Sequence, residues 1–163
     1  MTDTHRSALR YTADITAEDI DGLAGFIGRR IVLLRAAAGA PGSEEERVGD
    51  ALSRTVAALT RSAREVLCAL TALAAATAAA AGAAEETGAA VEAAPGPGDR
   101  ARSGDGAVEE LMIRLSTLWR YLLTAAEAWS HLPDYDVARW RLDNHLDAEH
   151  EARARWLAAG EAW

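Results

Sequence analysis

The sequence predicts an all-α fold: an antiparallel bundle of about four helices whose second helix is overlong, alanine-rich and patterned in heptads. Three observations carry this expectation. Apolar residues recur at helical spacing in separate runs. Capping residues and Gly/Pro punctuation fall at the ends of those runs. In the second run, a 3.5-residue repeat holds its register across more than five heptads.

A chain of 163 residues fits one helical domain spanning 1–163 and can bury a real core. Residues 1–13 carry little pattern and read as a loose N-terminal tail. The first helix then opens at Thr16, an N-cap candidate, with Glu18, Asp19 and Asp21 in the first turn. Acids there suit the positive end of the helix dipole. Ile20, Leu23, Ile27, Ile31 and Leu34 make its stripe, and Gly39, Pro41 and Gly42 stop it.

The second helix starts at Ser43, where "SEEE" offers a capping box to Glu46. Its seam runs through Leu52, Val56, Leu59, Ala63, Val66, Leu70, Leu73, Thr77, Ala80, Ala84, Thr87 and Val91. From Ala74 onward the seam is carried by Ala and Thr, while Gly82 and Gly88 each weaken the helix by roughly 1 kcal/mol relative to Ala. "PGPGDRARSGDG", residues 95–106, reads as a flexible linker.

A third helix follows, with Val108, Leu111, Leu115, Leu118, Leu122 and Ala126 on one stripe, widened by Met112, Trp119 and Leu123. That breadth suits packing against two neighbours. Pro133 ends it. Asp134 or Asp136 then caps an expected fourth helix, "VARWRLDNHLDAEHEARARWLAAGEAW".

The uncharged run Val66–Ala84 has the length of a membrane span, about 28 Å as a helix. Its composition points elsewhere. Only Val66, Leu67, Leu70 and Leu73 favour lipid strongly, at roughly −0.3 to −0.6 kcal/mol each. The heptad register also passes through the run into charged flanks on both sides, which a lipid-facing helix has no reason to maintain. The expectation is a soluble seam with no membrane crossing. A second helix of about 50 residues outruns neighbours of roughly 20 to 28. The stretch from Ala74 to Ala94 is therefore expected either to fray or to pair with another chain, most simply a second copy.

Alanine supplies 39 of the residues behind the 50% hydrophobic content, and all 17 basic residues are Arg, which reads as GC-rich coding. A net charge of −8 argues against nucleic-acid backbones as partners. One cysteine, Cys68, allows no disulfide within the chain, and no signal-peptide pattern opens the sequence. Both suit the cytoplasm.

Candidate chemistry is sparse. His145 and Glu149 share a helical face, and Asp147-x-x-His150 resembles one element of the carboxylate-bridged di-iron bundles. Such sites need two of these elements and two further carboxylates. His145, Glu149 and His150 are therefore weak metal candidates, and no cofactor is expected. "DIDGLAGFIGRRIVLLRAAAG" resembles the opening helix of the all-helical chorismate mutases, with Arg29 or Arg30 at the matching place. That family also uses a Lys from this helix and a Gln or Glu from the last, and this chain contains neither Lys nor Gln. The resemblance therefore assigns no residue roles.

Five tryptophans fall in the last 45 residues. Trp119 and Trp140 read as core, whereas Trp156 and Trp163 read as a C-terminal interface. The expected function is a non-catalytic interaction or regulatory protein acting through helix–helix association with a second copy or another helical protein. Leu52, Val56, Leu59, Val66, Leu70, Leu73 and Thr77 form its seam. The alternative is a bundle enzyme that binds a small molecule or metal. Removing the residues after Arg155 is expected to weaken self-association, read as a drop in mass by light scattering at matched concentration.

Overall fold

A computed structural model describes residues 8–37, 42–86 and 97–158. Within them lie four helices, α1 (Ala17–Ala37), α2 (Glu44–Glu86), α3 (Pro97–Ala126) and α4 (Ala148–Ala158), and no strand. The bundle is antiparallel, and α1, α2 and α3 all pack on one another.

The α1 start follows from Thr16. Its hydroxyl accepts from the Asp19 backbone N–H at 3.2 Å, and the Asp19 carboxylate accepts from the Thr16 N–H at 2.9 Å, a reciprocal capping box. From there Ile20, Leu23, Phe26, Ile27 and Ile31 are buried, while Leu34 is 48% exposed and ends the stripe one turn early. Gly42, at φ 79°, supplies the left-handed residue before α2. Ser43 then caps α2 by accepting from the Glu46 N–H at 3.2 Å.

The seam of α2 divides at about residue 73. Val56, Ala63 and Val66 are buried, and Leu52, Leu59 and Leu70 pack against the core from its edge. Residues 74–80 are all exposed. The ion pairs Arg35–Asp50 and Arg64–Asp21 set α1 against α2 in one antiparallel register. That register brings the start of α1 level with residue 68. At about 1.5 Å per residue, α2 then continues for some 27 Å beyond it.

On α3, Leu115, Trp119, Leu122, Leu123 and Ala126 are buried, with Leu111 and Leu118 at the margin. Val108 is 39% exposed. The helix begins at Pro97, so most of the expected linker 95–106 is helical. Proline fits a first helical position, where its missing N–H has no partner to lose.

Two further expectations are corrected. The tail does not stay loose within the described residues. Leu9 is 1% exposed and donates its N–H to the Ala138 carbonyl, and Thr12 is fully buried. Nor does one helix fill 137–163. Asp136 caps a turn, accepting from the Ala138 and Arg139 N–H groups, and Asp134 pairs with Arg29 and Arg30. The chain then runs without helix to Asp147, which caps the short α4 through the His150 N–H at 2.7 Å.

Tertiary bonds replace the helical ones in this segment. The Thr12 N–H donates to the His145 carbonyl at 2.7 Å, and the His145 N–H donates to the Arg10 carbonyl at 3.0 Å. Asn144 donates its amide to the Thr12 hydroxyl at 2.7 Å. Trp140 meets Phe26 and Tyr135 with ring centroids 5.3 Å apart in each case, and the Tyr135 hydroxyl donates to the Trp140 carbonyl.

Arg139 anchors the whole return. Its Nε donates to Asp19 Oδ1 at 2.8 Å, and its Nη2 donates both to Asp19 Oδ2 and to the Asp14 carbonyl. The Asp19 side chain is fully buried. Arg139→Ala would strand that carboxylate, and a loss of about 3–5 kcal/mol is expected from breaking a buried pair at one partner, measured by urea unfolding.

Candidate functional site

The seam residues named from the sequence lie on α2, and the structure spends the first of them inside the chain. Val56 and Val66 are core, Leu52, Leu59 and Leu70 pack onto it, and Leu73 is half-buried. Thr77 stands exposed and donates its hydroxyl to the Leu73 carbonyl at 2.8 Å. Ala80 is exposed, while Thr87 and Val91 lie outside the described residues.

Past Leu73, the described surface of α2 is a helix of small side chains open to solvent. Cys68 is exposed as well. By length and composition α2 meets the requirement for a membrane crossing, with mean hydropathy 1.4 in its most apolar 18 residues, of which 11% is buried. That apolarity comes from alanine more than from large side chains.

A groove of about 510 Å³ separates α1 from α2, floored by Ala24, Gly28, Val56 and Ala57. Its polar rim is Arg61, Arg64 and Glu65, of which Arg64 donates from Nε to Asp21 at 2.7 Å. Catalysis needs polar groups converging on one enclosed point. Here the three charged side chains are all exposed, and the only other polar groups in the lining are the half-buried hydroxyls of Ser53 and Thr60.

The metal candidates are only partly gathered. His145 is half-buried, while Glu149 and His150 are exposed, and the two imidazole centroids lie 6.5 Å apart. Among the described residues, no group of three or more His, Cys, Asp or Glu is placed to hold an ion. Arg29 and Arg30 both pair with Asp134; Arg29 is exposed, whereas Arg30 is largely covered and stacks over the Phe26 ring at 5.0 Å.

Trp119 and Trp140 are buried, and Trp129 packs on the core edge. Trp156 belongs to α4, but its side chain lies outside the described set, as does Trp163 altogether.

Sequence reasoning missed a polar knot joining the two ends of the described chain. Glu151, 7% exposed, accepts from Arg10 at 2.6 Å, from the Tyr11 hydroxyl at 2.7 Å and from Arg155. Hydrogen bonds from Arg10 and Tyr11 hold its carboxyl at about 2, well below its ordinary 4.5, although burial pushes the other way. The same bond, with burial, raises the Tyr11 phenol. At Asp19, burial pushes the carboxyl up, but hydrogen bonds from Arg139 and Thr16 outweigh it and leave the group lowered. Of these contacts only Glu151–Arg155 is local, four residues apart on α4, whereas those to Arg10 and Tyr11 span up to 141 residues and leave no signal in the sequence.

No protein-family model matches this chain, and neither a curated protein nor a solved structure is significantly similar to it.

A depressed carboxylate contributes stability above its unfolded pKa and loses it as pH falls through the folded value. The Glu151 contribution is therefore complete above about 4.5 and is lost toward 2. Glu151→Gln is expected to flatten the fall in melting temperature over that interval, measured by circular dichroism.

Proposed function

We propose that this chain is a non-catalytic interaction protein that works by helix–helix association and self-associates. One observation carries the reading. The helix whose first half buries its seam against α1 and α3 continues past the start of α1 with residues 74–80 exposed. An exposed helix of small residues contributes little to its own fold. It suits close approach by a second helix, because small side chains let two backbones come near each other.

Affinity would come from apolar burial along that helix, with Arg and Glu at its edges choosing partner and register. A net charge of −8 turns the reading away from nucleic acid. The exposed thiol of Cys68 is best kept reduced in a cytoplasmic setting.

The competing reading is a bundle that binds a small molecule or metal, and the groove between α1 and α2 supports it. Its volume of about 510 Å³ falls within the range of ligand sites, roughly 300–1,000 Å³. The rim-only placement of its charges weighs against that use.

Light scattering across a hundredfold concentration range is expected to show mass rising above 17.3 kDa. Elemental analysis of the same sample is expected to find no stoichiometric metal. A constant monomer mass together with one bound ion per chain would favour the competing reading.

A further inference from the structure

The outward ridge of α2 has a spacing and a charge pattern that fit a second copy of itself. Arg61, Glu65, Cys68, Ala72, Ala75, Ala79, Gly82 and Glu86 follow one another at alternating steps of four and three. They therefore share one face of the helix. The seven from Arg61 to Gly82 are all exposed. Glu65 lies on the lip of both the groove toward α1 and the groove toward α3, which places this ridge on the side away from the core.

Turned end for end about the level between Leu73 and Ala74, the ridge matches itself. Position 61 falls opposite 86, 65 opposite 82, 68 opposite 79, and 72 opposite 75. The chemistry agrees at each level. An arginine meets a glutamate at both ends, the long Glu65 faces a glycine, and the centre is alanine on alanine. A parallel arrangement would instead set Arg61 against Arg61 and Glu65 against Glu65.

We infer that two copies pair antiparallel along this face of α2, with the twofold axis between Leu73 and Ala74 and the Arg61 of each copy opposite the Glu86 of the other. This rests on the self-association proposed above and specifies its geometry. Small residues at the centre allow the helix axes to approach to about 8 Å, the close end of the usual range. The Leu/Val seam remains inside each chain, so neither copy has to unfold to pair.

The native thiol provides the test. In the antiparallel pair, the two Cys68 residues lie 11 positions apart along the axis, about 16 Å, too far for a disulfide. Wild-type protein under mild oxidation is expected to stay uncross-linked. Ala79→Cys sets a new thiol opposite Cys68 of the other copy and is expected to give a covalent dimer, whereas Ala78→Cys, off the ridge, is not. Arg61→Glu and Glu86→Arg should each raise the dissociation constant severalfold, and the double variant should restore it. Monomeric mass at every concentration would overturn both this geometry and the self-association it rests on. A dimeric mass with no Ala79→Cys cross-link, or with Cys68–Cys68 cross-links in the wild type, would overturn the geometry alone.

Discussion

The fork between Arg139 and Asp19 decides how this chain closes. Asp19 works twice, as the third-position acid of the α1 capping box and as the acceptor of two guanidinium bonds. A fully buried carboxylate needs that degree of satisfaction, since desolvating an ion costs several kcal/mol. Arg139 is in turn held by the Asp14 carbonyl, so the start of α1, the turn before it and the return after α3 meet at one point. Trp140, the next residue, is thereby delivered against Phe26 and Tyr135, and Asn144 reaches Thr12. An apolar pair would pack there without setting a direction. The bidentate geometry fixes which backbone runs where.

That arrangement leaves α2 with two unequal halves. Where α1 and α3 flank it, α2 offers Val and Leu to both and becomes the spine of the core. After Leu73, little more than one turn beyond the level where α1 begins, the large side chains stop, and exposed Ala and Thr take over without any change of register. The loss of bulk therefore coincides with the loss of a neighbour. Alanine favours the helix where α1 no longer packs on it, because it has the highest intrinsic helix propensity.

Much of this architecture was readable in the residues. Thr16 and Ser43 cap the helices they were expected to cap, and the Ile20–Ile31 and Leu115–Ala126 stripes face the core. The fade of the seam after Leu73 was legible from side-chain size alone. What escaped was the region after Pro133. Its helix-compatible composition gave no local warning that Arg139 and Asn144 would be claimed by partners 120 or more residues away, or Trp140 by Phe26. Leu9 and Thr12 were hidden for the same reason, since a short segment with one leucine shows no periodicity. The linker was misjudged in the opposite direction, because glycine and proline composition outweighed a proline that can start a helix. Of the candidate interaction residues, the sequence placed the α2 seam on one face, but periodicity alone cannot say whether such a face meets its own chain or a neighbour.

The clasp between Arg10, Tyr11 and Glu151 also imposes an order on assembly during synthesis. Helices α1, α2 and α3 can pair as each leaves the ribosome, since every contact among them joins segments already made. Leu9 and Thr12 must wait, because the backbone groups at Ala138 and His145 that receive them are translated only after α3. A nascent chain halted after α3 thus carries an unfinished edge at its N-terminal end. Closing so long a loop costs entropy only logarithmically in its length, so the delay is set by translation itself, and the segment from Ala138 to Glu151 acts as the latch on a core already in place.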